Sequence, residues 1–239
     1  MDQREWMGQL RGAVYRRDSA AVMALARHPD RPADVLQLLG SGLAVALDQG
    51  GDDARREGAA CVVALRERGW VGDAELADQL GASVAGAPAP TLRPLPVDLE
   101  QLASILEGDV MSTGGALDLQ TGEVWHQSTI EFAHEDGAGI DAPDFDAPER
   151  FLWVHSDGSR DGYRDMLLFI DTIEDADRAD RLGIAVQGRG AFRRFKDVLG
   201  RWPDELERWY AFSDERQRGR ARAWLADAGY RAVLPDRHG

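Results

Sequence analysis

The chain has 239 residues, of which 44% are hydrophobic and 29% charged, with a formal net charge of −14 and a single cysteine. That size and composition fit a water-soluble globular protein with a substantial core in one or two domains. They exclude a disulfide-stapled scaffold, and the longest apolar run, GLAVAL at 42–47, is far too short to cross a bilayer.

The opening residues, MDQREWMGQL, lack a basic start followed by an apolar run, so no secretory signal is expected. Residues 1–85 read as an all-α module. Trp6, Leu10 and Val14 recur at helical spacing, Ser19 offers a cap for the run through Val22 and Ala26, and Pro32 suits the first turn of a helix carrying Val35, Leu36, Leu39, Leu43 and Leu47. Turn signals at GG (50–51) and GWVGD (69–73) separate two more helices, around Cys61–Leu65 and Ala74–Leu80. Cys61 lies in AACVVAL and reads as a buried thiol in a cytoplasmic protein. Residues 86–97 are rich in proline and read as an extended linker.

Residues 98–239 read as an α+β domain with a small antiparallel sheet, giving an α+β chain preceded by an all-α module. A helix is expected at Leu99–Leu106, then a β-hairpin over ALDLQTGEVWH (116–126) with Gly122 in its turn. Asp118 and Glu123 flank that turn as solvent-facing strand residues. Further strands are expected at Ser128–Ala133 and at 150–156, around an acidic, Gly/Pro-broken loop at 134–149 that an internal basic patch could attract. Helices are expected at Tyr163–Ile173, Ala176–Val186, Phe192–Leu199, Pro203–Ala211 and Asp214–Ala228, the last capped by Ser213 and stopped by Gly229.

The runs LDLQTGEV, RFLWV, DMLLFIDTI, GRGAFRRFKDVL and ERWYAFSDERQRGRARAWLADAG resemble the bacterial Uncharacterised Protein Family 0158. The similarity covers about residues 98–230, and its most specific parts are the GRGAFRRFK and WYAF runs. Residues 1–90 lie outside it. The resemblance implies domain limits and assigns no catalytic residue.

Charge is segregated along the chain. Residues 1–90 hold 10 Arg against 13 acids, residues 91–183 hold 6 Arg against 21 acids, and residues 184–239 hold 11 Arg and Lys196 against 8 acids. The basic C-terminal quarter is where an anionic partner would sit. In GRGAFRRFKDVL, Gly188 and Gly190 could free backbone N–H groups at a helix N-terminus for a phosphate or carboxylate, with Arg189, Arg193, Arg194 and Lys196 around it. The competing reading makes Phe192, Phe195 and Leu199 one core face, the cations solvated and Arg193 paired with Asp197. On the last helix Arg216 and Arg220 line one border of an apolar stripe, Arg218 and Arg222 the other. They would extend the same anion-binding face or cover core edges with their stems.

No close His/Cys spacing suggests a metal, and no cofactor is expected. His126 and His155 fall on strands where they could be neighbours, with His134, Asp141, Asp144 and Asp146 near in sequence. The expected function is a non-catalytic, regulatory binding or adaptor protein. Its helical residues 1–85 would engage a protein, and its basic helical face would engage a nucleic acid or phosphorylated ligand, away from any membrane. The alternative is an enzyme acting on an anionic metabolite or nucleotide at the His126/His155 strand surface.

Overall fold

The computed structural model describes residues 1–88, 91–108, 114–135, 143–156 and 158–234. The elements run α1 (Gln3–Arg16), α2 (Ser19–Ala26), α3 (Leu36–Gln49), α4 (Asp52–Arg68), α5 (Asp73–Ala85), β1 (Arg93–Pro96), α6 (Leu99–Glu107), β2 (Gly114–Asp118), β3 (Val124–His126), α7 (Gln127–Glu135), β4 (Phe151–His155), α8 (Arg160–Ile170), α9 (Ala176–Ala185), α10 (Ala191–Leu199), α11 (Pro203–Asp227) and β5 (Tyr230–Val233). The fold is α+β with an all-helical front. None of the described helices is long and apolar enough to cross a membrane. Part of the acidic loop, residues 136–142, lies outside the described residues.

The contacts divide the chain differently from the linear order expected at 86–97. One compact unit joins Met1–Pro90 to Gly162–Gly219, and the other joins Thr91–Asp161 to Arg220–Gly239.

In the first unit the amphipathic helices of the N-terminal module bury Trp6, Leu10, Leu39, Leu43, Leu65 and Leu80, all fully inaccessible. Each such side chain contributes roughly 1.5–3 kcal/mol by leaving water. The Trp6 indole N–H donates to the Leu25 carbonyl at 3.1 Å, so this buried ring leaves no polar atom unpaired. Asp18 rather than Ser19 caps α2, accepting from the Ala21 N–H, and Pro32 precedes α3 instead of opening it. A second core gathers Met166, Phe169, Phe195, Leu199 and Trp209. Its rings meet edge to face, with Phe195 and Trp209 centroids 4.8 Å apart. The two helices expected at 203–228 are one, α11. Nothing breaks the chain between them, and Ser213 inside the helix accepts from the Gln217 side chain instead of capping.

In the second unit β2 is the central strand of an antiparallel sheet ordered β3-β2-β4. The expected hairpin forms with Leu117 opposite Val124. Alternation sends Leu117 into one core with Leu102, Ile105 and Leu225, and Ala116 into another with Ile130, Phe145 and Phe151. Gly122 takes φ 77°, and a Cβ there would lie 1.9 Å from the Pro96 carbonyl oxygen, so only glycine fits that turn. Asp118 is buried rather than solvent-facing. Its Oδ1 accepts from the backbone N–H of Gln120 and Thr121, and its Oδ2 from Arg150 Nη2 at 2.8 Å. Burial opposes its charge, but Arg150 and the two N–H groups hold its carboxyl below the usual range. Residues 128–133 are helix α7, not strand. The linker is not wholly extended coil either, because β1 pairs in parallel with β5, Leu95 opposite Ala232.

Candidate functional site

The turn into α10 follows from its glycines. Gly188 and Gly190 take φ 74° and 82°, left-handed values that glycine adopts without strain, and Gly190 stands at the N-cap without a side chain to fill it. Arg194 reaches back across this turn. Its Nε donates to the Ala185 carbonyl at 3.1 Å, and its Nη atoms donate to the carbonyls of Gln187, Gly188 and Arg189. A cation on the open carbonyls that end α9 complements the helix dipole, so Arg194 is a structural clasp. Arg189 and Lys196 are exposed. The Arg193 side chain is 90% exposed, with Asp197 3.8 Å away as the spacing predicts. Phe195 and Leu199 are core, but Phe192 is 38% exposed. At 100° per residue Phe192 stands about 60° off Phe195, enough to carry it out of the interior at the first turn.

The α11 arginines are arranged differently. Arg216 pairs with buried Asp165 and lies over the rings of Trp70 and Phe212 at 5.2 and 5.7 Å. Arg218 is buried, its Nε 3.5 Å from Asp214. Arg220 donates from Nε to Glu107 at 2.9 Å, and Arg222 is 4% exposed. A guanidinium taken from water requires a carboxylate partner, and Asp165, Asp214 and Glu107 supply it from distant or adjacent turns. These four side chains offer no solvated cationic face.

Sequence reasoning missed the densest polar cluster. Glu215 is 1% exposed, and its carboxylate accepts the backbone N–H of Gln37 at 2.6 Å and of Leu38 at 2.9 Å. Val35, at the N-cap of α3, has no side-chain acceptor. Glu215 therefore caps α3 from a residue 178 positions away. Arg68 donates to Glu215 at 3.1 Å and grips Asp73 with Nε at 2.9 Å and Nη2 at 2.7 Å. Asp73 also accepts from the Gln37 side chain and the Trp70 N–H, both at 2.9 Å. One guanidinium thus serves two carboxylates, and burial pushes the Glu215 carboxyl up to about 7, against the pull of Arg68 and the two N–H groups. The available signal was Gly219, four residues on in a long helix. A Cβ there would lie 2.1 Å from the Val71 carbonyl oxygen, and one at Gly72 equally close to the Gly219 carbonyl. With its donors all internal, this cluster is an architectural joint.

The histidine surface does not assemble. His126 pairs with Gly115 and His155 with Gly114, on opposite sides of β2, so successive positions send the two rings to opposite faces of the sheet. His126 Nε2 lies 3.3 Å from the Ser104 hydroxyl. Asp144 and Asp146 are exposed, while Asp141 lies outside the described residues. Among the described residues no three His, Cys, Asp or Glu converge for a metal. Burial pushes the Cys61 thiol up to about 12, which leaves it unreactive near neutrality.

One further concavity, a groove of about 740 Å3, opens between the end of α8 and α9, lined by isoleucines and carboxylates.

The family model described as Uncharacterised protein family (UPF0158) matches residues 122–237. A relative, the UPF0158 protein PA5073 of Pseudomonas aeruginosa, is 31% identical over 136 residues, which are 57% of this chain and 85% of the relative. The chain belongs to this family. No solved structure matches it. In this member the family segment holds α10 and α11 with every candidate cation named above, whereas Arg68, Asp73 and Gln37 lie outside it. The relative's aligned share leaves it too short to hold both the family segment and a counterpart of residues 1–90.

Proposed function

We propose that this protein is a non-catalytic, regulatory binding or adaptor protein, and that its surface for an anionic partner is the outer side of α10. The observation that carries this reading is the exposure of Arg189, Arg193 and Lys196 beside a half-exposed Phe192. Arg194, between them in sequence, is held by backbone carbonyls. A phosphate-bearing partner would meet three exposed cations, with an aromatic edge for a stacking group. Residues 1–85 remain the surface for a protein partner on this reading, less the part of α3 and the α4–α5 turn that α11 covers. The proposal includes a cytoplasmic setting, which suits a lone buried thiol.

The test is fluorescence-anisotropy titration of a heparin oligosaccharide and of a short single-stranded DNA at fixed ionic strength. The Arg189→Ala/Arg193→Ala/Lys196→Ala variant should bind about tenfold more weakly, as three exposed charge contacts imply, with its unfolding midpoint unchanged. A control that removes exposed Arg4, Arg55 and Arg66 should bind as the parent does. No binding by the parent, or equal weakening in both variants, would overturn the proposal.

A further inference from the structure

The groove between α8 and α9 has a character opposite to that of α10. Its floor is Ile170, Ile173 and Ile184, and Ile184 leaves 69% of its surface in water. Its rim carries Asp171, Glu174 and Asp180, all exposed, and no Lys, Arg or His lines it. Among the described residues these three carboxylates have no ion-pair partner. Cations are at hand: Arg178, two positions before Asp180, turns instead to Asp204 at 2.9 Å. Arg208 donates to the Thr172 carbonyl, beside Asp171, and pairs with Glu205.

The apolar floor continues past the groove. Tyr163, Leu167 and Ile170 are spaced i, i+4 and i+7 on α8, so they share the face that Ile170 turns to the groove. Tyr163 is 38% exposed and Leu167 42%. At the helical rise this stripe is about 10 Å long, roughly two turns.

Three kinds of occupant can be weighed on these facts. A small polycation would satisfy the carboxylates but leave the isoleucines in water. A second copy of this chain brings its own net charge of −14 against the same charge here, so long-range repulsion opposes the encounter. A segment of another protein with apolar side chains on one helical face and Lys or Arg beside them satisfies both floor and rim. We infer that this groove docks a cationic amphipathic helix of another protein, with its apolar face on Ile170, Ile173 and Ile184 and its cations on Asp171, Glu174 and Asp180. None of the groove's lining residues belongs to the α10 set Arg189, Arg193 and Lys196, so either site can fail alone.

The experiment uses the full chain and a fluorescent peptide of about 14 residues with Leu on one helical face and Lys on the other. The peptide should bind, and its Leu/Glu counterpart should not. Binding should weaken by about tenfold or more in Asp171→Asn/Glu174→Gln/Asp180→Asn and, separately, in Ile184→Ser. Ile184 is exposed, so that second variant keeps the fold, which its thermal transition checks. A charge-matched control, Asp48→Asn/Asp52→Asn/Asp78→Asn, should bind like the parent. Equal weakening by the control would reduce the attraction to generic charge and overturn the inference. So would spermine displacing the peptide while Ile184→Ser has no effect, because that marks a small-polycation site. A concentration-dependent dimer in sedimentation that Ile184→Ser abolishes would make the occupant a second copy, and likewise overturn it.

Discussion

α10 and α11 are almost indistinguishable as strings of cations, yet they put arginine to opposite uses. α10 holds Arg193 and Lys196 in water and turns Arg194 back as a clasp, while α11 sets Arg216, Arg218 and Arg220 against acids and buries Arg222. The difference lies in what packs over each helix. α10 covers one edge of an aromatic core and leaves its other side bare. α11 is 25 residues long, and its middle turns bury Glu215, Arg218 and Arg222, where an unpaired charge cannot persist. A basic run therefore becomes a basic surface only after the acids brought to it by the fold have been subtracted.

The largest effect that would sharpen this contrast is at the joint. Arg68→Ala leaves Asp73 and Glu215 buried without their cation and should cost about 3–5 kcal/mol in urea unfolding. Arg193→Ala should be indistinguishable from the parent in the same experiment. Comparable losses would erase the distinction between the two sets of cations.

Next comes pH. The Glu215 carboxyl titrates at about 7 in the folded chain against 4.5 when unfolded. As pH rises the unfolded chain gives up this proton first, so stability is complete below 4.5, falls between 4.5 and 7, and has lost its full increment above 7. The expected increment is on the order of 3 kcal/mol. Glu215→Gln should remove it, so the parent should lose more stability than this variant between pH 5 and pH 8. Parallel pH profiles would show that Glu215 is already ionised at low pH.

A smaller effect tests the close approach at Gly219. Helix propensity alone predicts that Gly→Ala stabilises by about 1 kcal/mol, and at Gly81, where a Cβ meets nothing within 4 Å, it should. At Gly219 the Val71 carbonyl blocks the methyl group, and the same change should destabilise by about 1–3 kcal/mol. Stabilisation at both positions would deny the contact.

What was legible in the sequence was local. The hairpin announced itself through LDLQTGEV, and the helices through their apolar spacing and the glycines at 50, 51, 69 and 229, all of which take positive φ. A strand is expected at Ser128–Ala133, and Thr129, Ile130 and Phe132 are residue types that suit one. In α7 Ile130 is buried while Phe132 is 63% exposed, and so short a run fixes neither period. The β1–β5 pair joins residues 137 positions apart through a proline-containing strand, a pattern that locally argues against any ladder. The candidate cations were found in sequence, but their partners were not. Glu107, Asp165 and Glu215 lie far along the chain from the groups they hold, and no local pattern links them.

The central claim, that α10 presents its cations and α11 encloses them, can be read directly from arginine-selective dicarbonyl modification of the folded protein followed by peptide mass spectrometry. Arg189 and Arg193 should react rapidly. Arg216, Arg218 and Arg222 should stay protected until urea unfolds the chain. Modification of the α11 arginines at the rate of Arg193 under native conditions would contradict the account.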